Sequence, residues 1–247
     1  MSALADQHAE LAGLLADLGD DGWSSASRCD GWSVADVVLH LAQTDEMAVA
    51  SLRGAFGEVL SEMTSGLGPT ADVDEGAAMM VERERGRPTT EIGRRWQASA
   101  EQLVRSLETV DARQRVVWVA GELSARTLAT TRLAECWIHT GDVAEALEVS
   151  MPASDRLRHV AYLAWRTLPY AFARAGRELG GPVAFELRGP DGTTWDYVPE
   201  SEPRTTIRGD AVELCLVAAR RAEPAETSLV GAGPDAEAVL ELVRTYA

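Results

Sequence analysis

The sequence predicts an α plus α+β protein, with a helix bundle over residues 1–178 and a small α+β domain over residues 179–247. Two observations predict this division. Apolar residues recur at helical spacing through the first part of the chain, whereas apolar and polar residues alternate after Gly180-Gly181-Pro182. The chain has 247 residues, of which 46% are hydrophobic, so it can bury a sizeable core.

Five helices are expected in the first part. The second begins at Ser33, a good N-cap residue that Asp36 follows at the spacing of a capping box, and runs past residue 50. Thr89 or Thr90 is the expected cap of the third. The helices are expected over about 3–18, 33–50, 89–108, 124–148 and 154–178, with an acidic loop over 64–76.

The last part predicts strands and two helices. VAFELRG and TWDYVP alternate around the turn sequence PDGT, which is typical of a β-hairpin. RTTIRG is expected to form a third strand, and DAVELCLVAARR a helix that an aspartate caps. TSLVGAG is a candidate fourth strand, and PDAEAVLELVRTYA a closing helix.

Charge and composition exclude several functions. The net charge is -16 and all 23 basic residues are arginine, which argues against nucleic-acid partners and anionic membranes. Without lysine there is no Schiff-base chemistry. Cys29, Cys136 and Cys215 are far apart and form no disulfide or zinc motif. With no signal peptide and no apolar run near the roughly 20 residues of a membrane span, we expect a cytoplasmic monomer or homodimer.

Two of the four histidines lie in the middle of apolar helices. Glu135 and His139 are four residues apart, so they project from one helix face and are able to bind one ion. His40 would supply a third ligand across the core, as in other helix bundles. Two histidines and a carboxylate suit zinc with an open position, although iron, nickel or manganese also fit. The alternative for Glu135 and His139 is a surface ion pair or a satisfied core histidine. We expect no metal role for His8, on an exposed terminal helix, or for His159, which follows Arg158 in a polar stretch.

Polar residues near these ligands are candidates for supporting roles. Asp142 lies three residues after His139, and Asp36 and Gln43 lie about one turn either side of His40. Asp36 or Asp142 is expected to accept the second N–H of a ligating histidine, to contact the metal, or to act as a base. Cys136 points about 100° away from Glu135 on an ideal helix and is expected to be buried in packing.

Two segments resemble a known family. CDGWSVADVVLHLAQTDEMA is similar to the second-helix signature of the DinB-like superfamily, and in particular of the mycothiol-dependent maleylpyruvate isomerase family. TRLAECWIHTGDVAEALE resembles the partner motif R-x-x-E-x-W-x-H-x-x-D. The resemblance implies a DinB-like up-down four-helix bundle, metal ligands at His40, Glu135 and His139, and a matching acid at Asp142.

The C-terminal part resembles the sterol-carrier-like domain that follows the bundle in that family. There an arginine of this domain is assigned to the active site, and Arg220 or Arg221 is the nearest match. The sequence departs from the family pattern where Cys29-Asp30 replaces the usual proline before Gly-Trp. This change lies in a loop and places a thiol near the start of the second helix.

The resemblance implies a reaction class. Mycothiol in an actinobacterial cytosol would be the cosubstrate, and a metal-bound thiol loses its proton near neutral pH. The thiolate would attack an electrophilic small molecule, giving isomerisation or S-transfer. Asp142 would order water or move a proton, Gln43 would help bind the cofactor, and the arginine would bind a carboxylate. Two alternatives remain: a thiol-independent metal hydrolase or cyclase of natural-product biosynthesis, and a non-enzymatic metal- or small-ligand-binding protein.

Overall fold

The computed structural model describes residues 2–119 and 121–245, which form two compact units, Met1–Met151 and Pro152–Ala247. The helices of the first unit are α1 (Ser2–Leu15), α2 (Asp20–Ser24), α3 (Val34–Leu52), α4 (Phe56–Met63), α5 (Val73–Glu84), α6 (Thr89–Thr109) and α7 (Ala125–Ala146). Its two strands are β1 (Arg115–Trp118) and β2 (Gly121–Ser124), paired antiparallel.

Helix α3 is the centre of a four-helix bundle. It packs on α6 and α7, and α1 packs on the same two helices. Every residue of α3 is buried except Ala35 and Glu46, as expected of a helix that neighbours surround on all sides. The helix begins where the sequence predicts, since Ser33 and Asp36 form a complete capping box.

The structure differs from the predictions at several places in this unit, and α2 and α4 are helices that were not predicted. Neither Thr89 nor Thr90 caps α6, because the helix already includes Thr89 and its N-cap position is Pro88. Helix α5 starts inside the predicted loop, where the Asp72 carboxylate accepts a hydrogen bond of 2.9 Å from the Glu75 amide. The β1–β2 hairpin was not predicted, since its strands have only four residues each.

The second unit combines helices with a four-stranded sheet. Its elements are α8 (Leu157–Arg166), α9 (Leu168–Arg174), β3 (Val183–Arg188), β4 (Thr194–Tyr197), β5 (Thr205–Asp210), α10 (Ala211–Ala218), β6 (Val230–Ala232) and α11 (Ala236–Leu242). The strand order is β4-β3-β5-β6, with β3 and β5 parallel and the other pairs antiparallel. The predicted hairpin is thus confirmed, and Asp210 caps α10 as predicted.

Helices α8 and α9 pack within the second unit. The sequence predicts one helix there, whereas the structure breaks it at Thr167, just before Pro169, which takes a place in the first turn of α9. Helix α8 packs on α10, β3 and β4. The first unit therefore ends at residue 151, whereas the sequence predicts a bundle that extends to residue 178. No helix in the described ranges is long and apolar enough to traverse a bilayer.

Candidate metal centre

The three predicted ligands meet in the core of the first unit. His40 lies in the middle of α3, and α7 presents Glu135 and His139 one turn apart. His40 Nε2 is 3.2 Å from Glu135 Oε2, and the two imidazole ring centres are 5.1 Å apart. One donor atom from each of the three residues lies within 4.8 Å of the other two. All three side chains are buried, so the geometry is that of a compact site between two helices.

Asp142 holds the ring of His139. Its Oδ2 is 2.9 Å from His139 Nδ1, and its side chain is buried. A carboxylate on one imidazole nitrogen orients the ring and leaves the other nitrogen, Nε2, for an ion. Burial lowers the pKa of His139, but the hydrogen bonds with Asp142 and Cys29 and the charge of Glu135 outweigh this and raise it to about 9.

His40 has a different environment. Burial lowers its pKa, against the opposing effect of the Glu135 carboxylate, so this imidazole is held in the neutral form that metals bind. Its Nδ1 is buried and makes no hydrogen bond within the described part of the chain. Asp36 is not its partner, because that carboxylate accepts from the Ser33 amide at 2.9 Å and pairs with Arg85 at 3.2 Å. Of the two predicted acceptors, only Asp142 contacts a ligand histidine.

A buried arginine lies against Glu135. Arg132 Nη1 is 3.4 Å from Glu135 Oε2, and Arg132 Nε is 3.0 Å from Asp45 Oδ1. Burial by itself would raise the pKa of Glu135, but the hydrogen bond with His40 and the charge of Arg132 lower it to about 2. Glu135 is therefore ionised at neutral pH, as a ligand must be.

The charges of this buried cluster fit a divalent cation. Asp45, Glu135 and Asp142 are buried carboxylates, and Arg132 is the permanent buried cation among them in the described residues. Asp36 is compensated separately by Arg85. When His139 is neutral, as a metal ligand must be, two negative charges are left without a counter-charge, and leaving them so in the core is costly. A divalent ion on His40, Glu135 and His139 would neutralise the cluster, so the donor set fits the implied metal.

A loop before α3 adds two side chains to the site. Cys29 Sγ is 3.4 Å from Asp142 Oδ2 and 3.9 Å from His139 Nδ1, and the ring centre of Trp32 is 5.3 Å from that of His40. Both residues are partly exposed, so this loop lies between the buried ligands and solvent. Cys136 is buried in the core, as predicted, and burial raises the pKa of its thiol.

Three other predicted residues are placed as follows. The amide nitrogen of Gln43 donates to Met80 O at 3.1 Å and to Glu84 at 2.9 Å, which ties α3 to α5; its cofactor role stays a prediction. Arg220 and Arg221 follow α10 in the second unit. They donate to the carbonyls of Glu241 at 2.8 Å and Ala219 at 3.2 Å, respectively, and their active-site role also stays a prediction.

The expectation that His8 is exposed was wrong. Helix α1 packs on α6 and α7, which buries His8 with its ring 6.1 Å from Trp96 and its Nε2 3.9 Å from Asp45 Oδ2. His159 is exposed on α8, in the other unit from the ligands. Arg132, Asp45 and Thr44 carry no role in the sequence predictions. The signal available for Arg132 was its spacing, three residues before Glu135 on the same face of the helix.

Two features define the class of protein. One is a helix bundle with a buried cluster of two histidines and a glutamate, and the other is the α+β unit that follows it. Residues 4–144 match the family described as mycothiol maleylpyruvate isomerase N-terminal domain. The chain belongs to this family.

Relatives and solved structures agree with this assignment. The chain is 31% identical over 248 residues to the uncharacterized proteins MT0041 and Rv0036c of two Mycobacterium tuberculosis strains, CDC 1551 / Oshkosh and H37Rv, covering 99% of this chain and 95% of each relative. Crystal structures of the mycothiol-dependent maleylpyruvate isomerase and of a mutant of it share the fold, each with a TM-score of 0.61. They are 15% and 13% identical to this chain, and the match covers 94% of it and 90% of theirs.

Proposed function

We propose that this protein is a divalent-metal-dependent isomerase or S-transferase that uses mycothiol as cosubstrate. The observation that carries the proposal is the buried cluster of His40, Glu135 and His139, whose donor atoms lie within 4.8 Å of one another. A divalent ion at this cluster would neutralise the buried carboxylates around it. Two imidazoles and one carboxylate favour zinc and leave a coordination position open. Family membership supports the thiol, and the substrate would be an electrophilic small molecule.

Several residues of the chain would have separate roles in the reaction. When bound, the ion supplies the positive charge that stabilises a thiolate at neutral pH. Asp142 holds His139 through Nδ1 and is the candidate for moving a proton, since its Oδ2 also contacts the Cys29 thiol. Trp32 and Cys29 lie on the partly exposed side of the ligands, where a cosubstrate would approach.

Further roles follow from the resemblance. Arg220 or Arg221 would bind a carboxylate of the substrate or cosubstrate, for which a forked guanidinium is well suited. Gln43, whose buried Oε1 accepts no hydrogen bond within the described residues, would help hold the cofactor region in place. We further propose a cytoplasmic enzyme, monomeric or homodimeric, with neither nucleic-acid nor membrane partners.

A thiol titration tests the proposal. Cobalt replaces zinc in such sites and absorbs visible light, and a thiolate that binds Co²⁺ adds a strong sulfur-to-metal band in the near ultraviolet. As mycothiol is added to the cobalt-loaded protein, the intensity of this band should rise and then reach saturation. His139→Ala should abolish it, and His159→Ala, an exposed histidine of the other unit, should not.

The outcomes separate the candidate reactions. Cobalt binding without any response to mycothiol would contradict the thiol mechanism and favour the hydrolase or cyclase alternative. A band that persists in His139→Ala would show that the thiol binds elsewhere, and would also contradict the proposal.

A further inference from the structure

Arg132 is a deeply buried charged side chain beside the proposed ligands, with 1% of its surface exposed. Three groups hold its guanidinium. Nε contacts Asp45 Oδ1 at 3.0 Å, Nη2 donates to Thr44 Oγ1 at 2.8 Å, and Nη1 contacts Glu135 Oε2 at 3.4 Å. We propose that Arg132 is a positioning residue of the metal centre, which fixes the Glu135 carboxylate and joins it to the turn that carries His40. This inference rests on the proposed metal-dependent function.

The link to His40 runs through Thr44. Its hydroxyl accepts from Arg132 and donates to the carbonyl oxygen of His40 at 2.9 Å, one turn earlier in α3. Arg132 belongs to α7, as does Glu135. One rigid guanidinium therefore joins the α3 turn at His40 to the α7 turn at Glu135, and it sets the separation of two ligands from different helices.

The contacts also distinguish the two oxygens of Glu135. Both Arg132 Nη1 and His40 Nε2 lie against Oε2, at 3.4 and 3.2 Å. Oε2 is thus the Glu135 oxygen that lies against both Arg132 and the proposed ligand His40. An ionised carboxylate held at one oxygen cannot rotate freely, so the direction of the whole group is fixed.

A purely structural role as an ion pair would explain fewer of the contacts of Arg132 than a positioning role does. Asp45 alone neutralises Arg132, at a shorter distance than Glu135, and an apolar pair of similar size would pack as stably. The additional hydrogen bond to Thr44 and the approach to Glu135 also satisfy buried N–H donors of the guanidinium. They do connect Arg132 to two of the three proposed ligands.

Cobalt titration separates positioning from stability. Arg132→Met should weaken Co²⁺ binding at least tenfold and shift the visible absorption bands of bound Co²⁺, because the carboxylate loses its fixed direction. Arg132→Lys keeps the charge without the fork, so it should restore part of the affinity but not the wild-type spectrum. Thr44→Val removes the link to His40 with little change in volume, and should shift the spectrum in a protein that remains folded.

The matched control is Arg95→Met. Arg95 pairs with Glu46 and Glu84, both outside the ligand cluster, so this variant should lose stability and keep the wild-type cobalt spectrum and affinity. Wild-type spectrum and affinity in both Arg132→Met and Thr44→Val would overturn the inference and leave the metal centre standing. A wild-type protein that binds no Co²⁺ would instead overturn the proposed function, and this inference with it.

Discussion

Asp142 is engaged by two side chains of different kinds. Its Oδ2 is 2.9 Å from His139 Nδ1 and 3.4 Å from the Cys29 thiol. One carboxylate thus orients a proposed ligand and also contacts the loop on the exposed side of the site. Such carboxylates commonly govern how tightly the histidine binds its metal.

Asp142→Asn tests this role with little change in shape. The amide lacks the negative charge that holds the imidazole, so we expect Zn²⁺ affinity to fall about 10- to 100-fold. The measurement is competition for Zn²⁺ with a colorimetric chelator. Asp196→Asn, an exposed carboxylate in the second unit, is the control and should bind as wild type does. Equal affinity in the two variants would show that Asp142 does not support the ligand.

Helix α3 carries His40, and its start depends on two side chains. Ser33 Oγ accepts from the Asp36 amide, and Asp36 accepts from the Ser33 amide, so the box satisfies two backbone donors. Local sequence encodes this motif completely, which is why the start of α3 was predictable. The same holds for Asp210 at the start of α10 and for the turn between β3 and β4.

Ser33→Ala should destabilise the first unit by about 1 kcal/mol, since the cap hydroxyl is lost while the Asp36 carboxylate remains. Urea unfolding monitored by far-ultraviolet circular dichroism measures the change. Ser24→Ala removes a hydroxyl that only donates to an exposed carbonyl, and it should change the free energy of unfolding by less than about 0.5 kcal/mol. A cap variant as stable as this control would mean that tertiary packing alone fixes the helix start.

Elements that depend on distant contacts were harder to predict. The packing of α8 on the sheet follows from tertiary contacts that helical periodicity does not report, whereas Pro169 is a local cause of the break at Thr167. Helix α5 begins in a stretch rich in glycine and acids, where Asp72 provides the cap. The short β1–β2 hairpin has too few residues for an alternating pattern to stand out.

At the scale of the whole molecule, the candidate site belongs to one unit. All three proposed ligands, together with Asp142 and Arg132, lie within Met1–Met151. Spacing and family motifs predicted that His40, Glu135, His139 and Asp142 lie together, as the structure shows. They did not predict that Asp45, Arg132 and His8 form a buried polar group beside them, because those residues come together from three helices. The charge balance of this cluster could be assessed only once the structure showed which of the charged side chains are buried.

We propose that His40, Glu135 and His139 bind one divalent ion, and a metal titration is the direct test. Metal-free protein should take up about one equivalent of Zn²⁺ per chain, measured by calorimetry and by elemental analysis after desalting. His40→Ala, Glu135→Gln and His139→Ala should each lose this binding, while His159→Ala keeps it. Uptake below about 0.2 equivalents by the wild type, or undiminished uptake by the three ligand variants, would contradict a metal site at these residues.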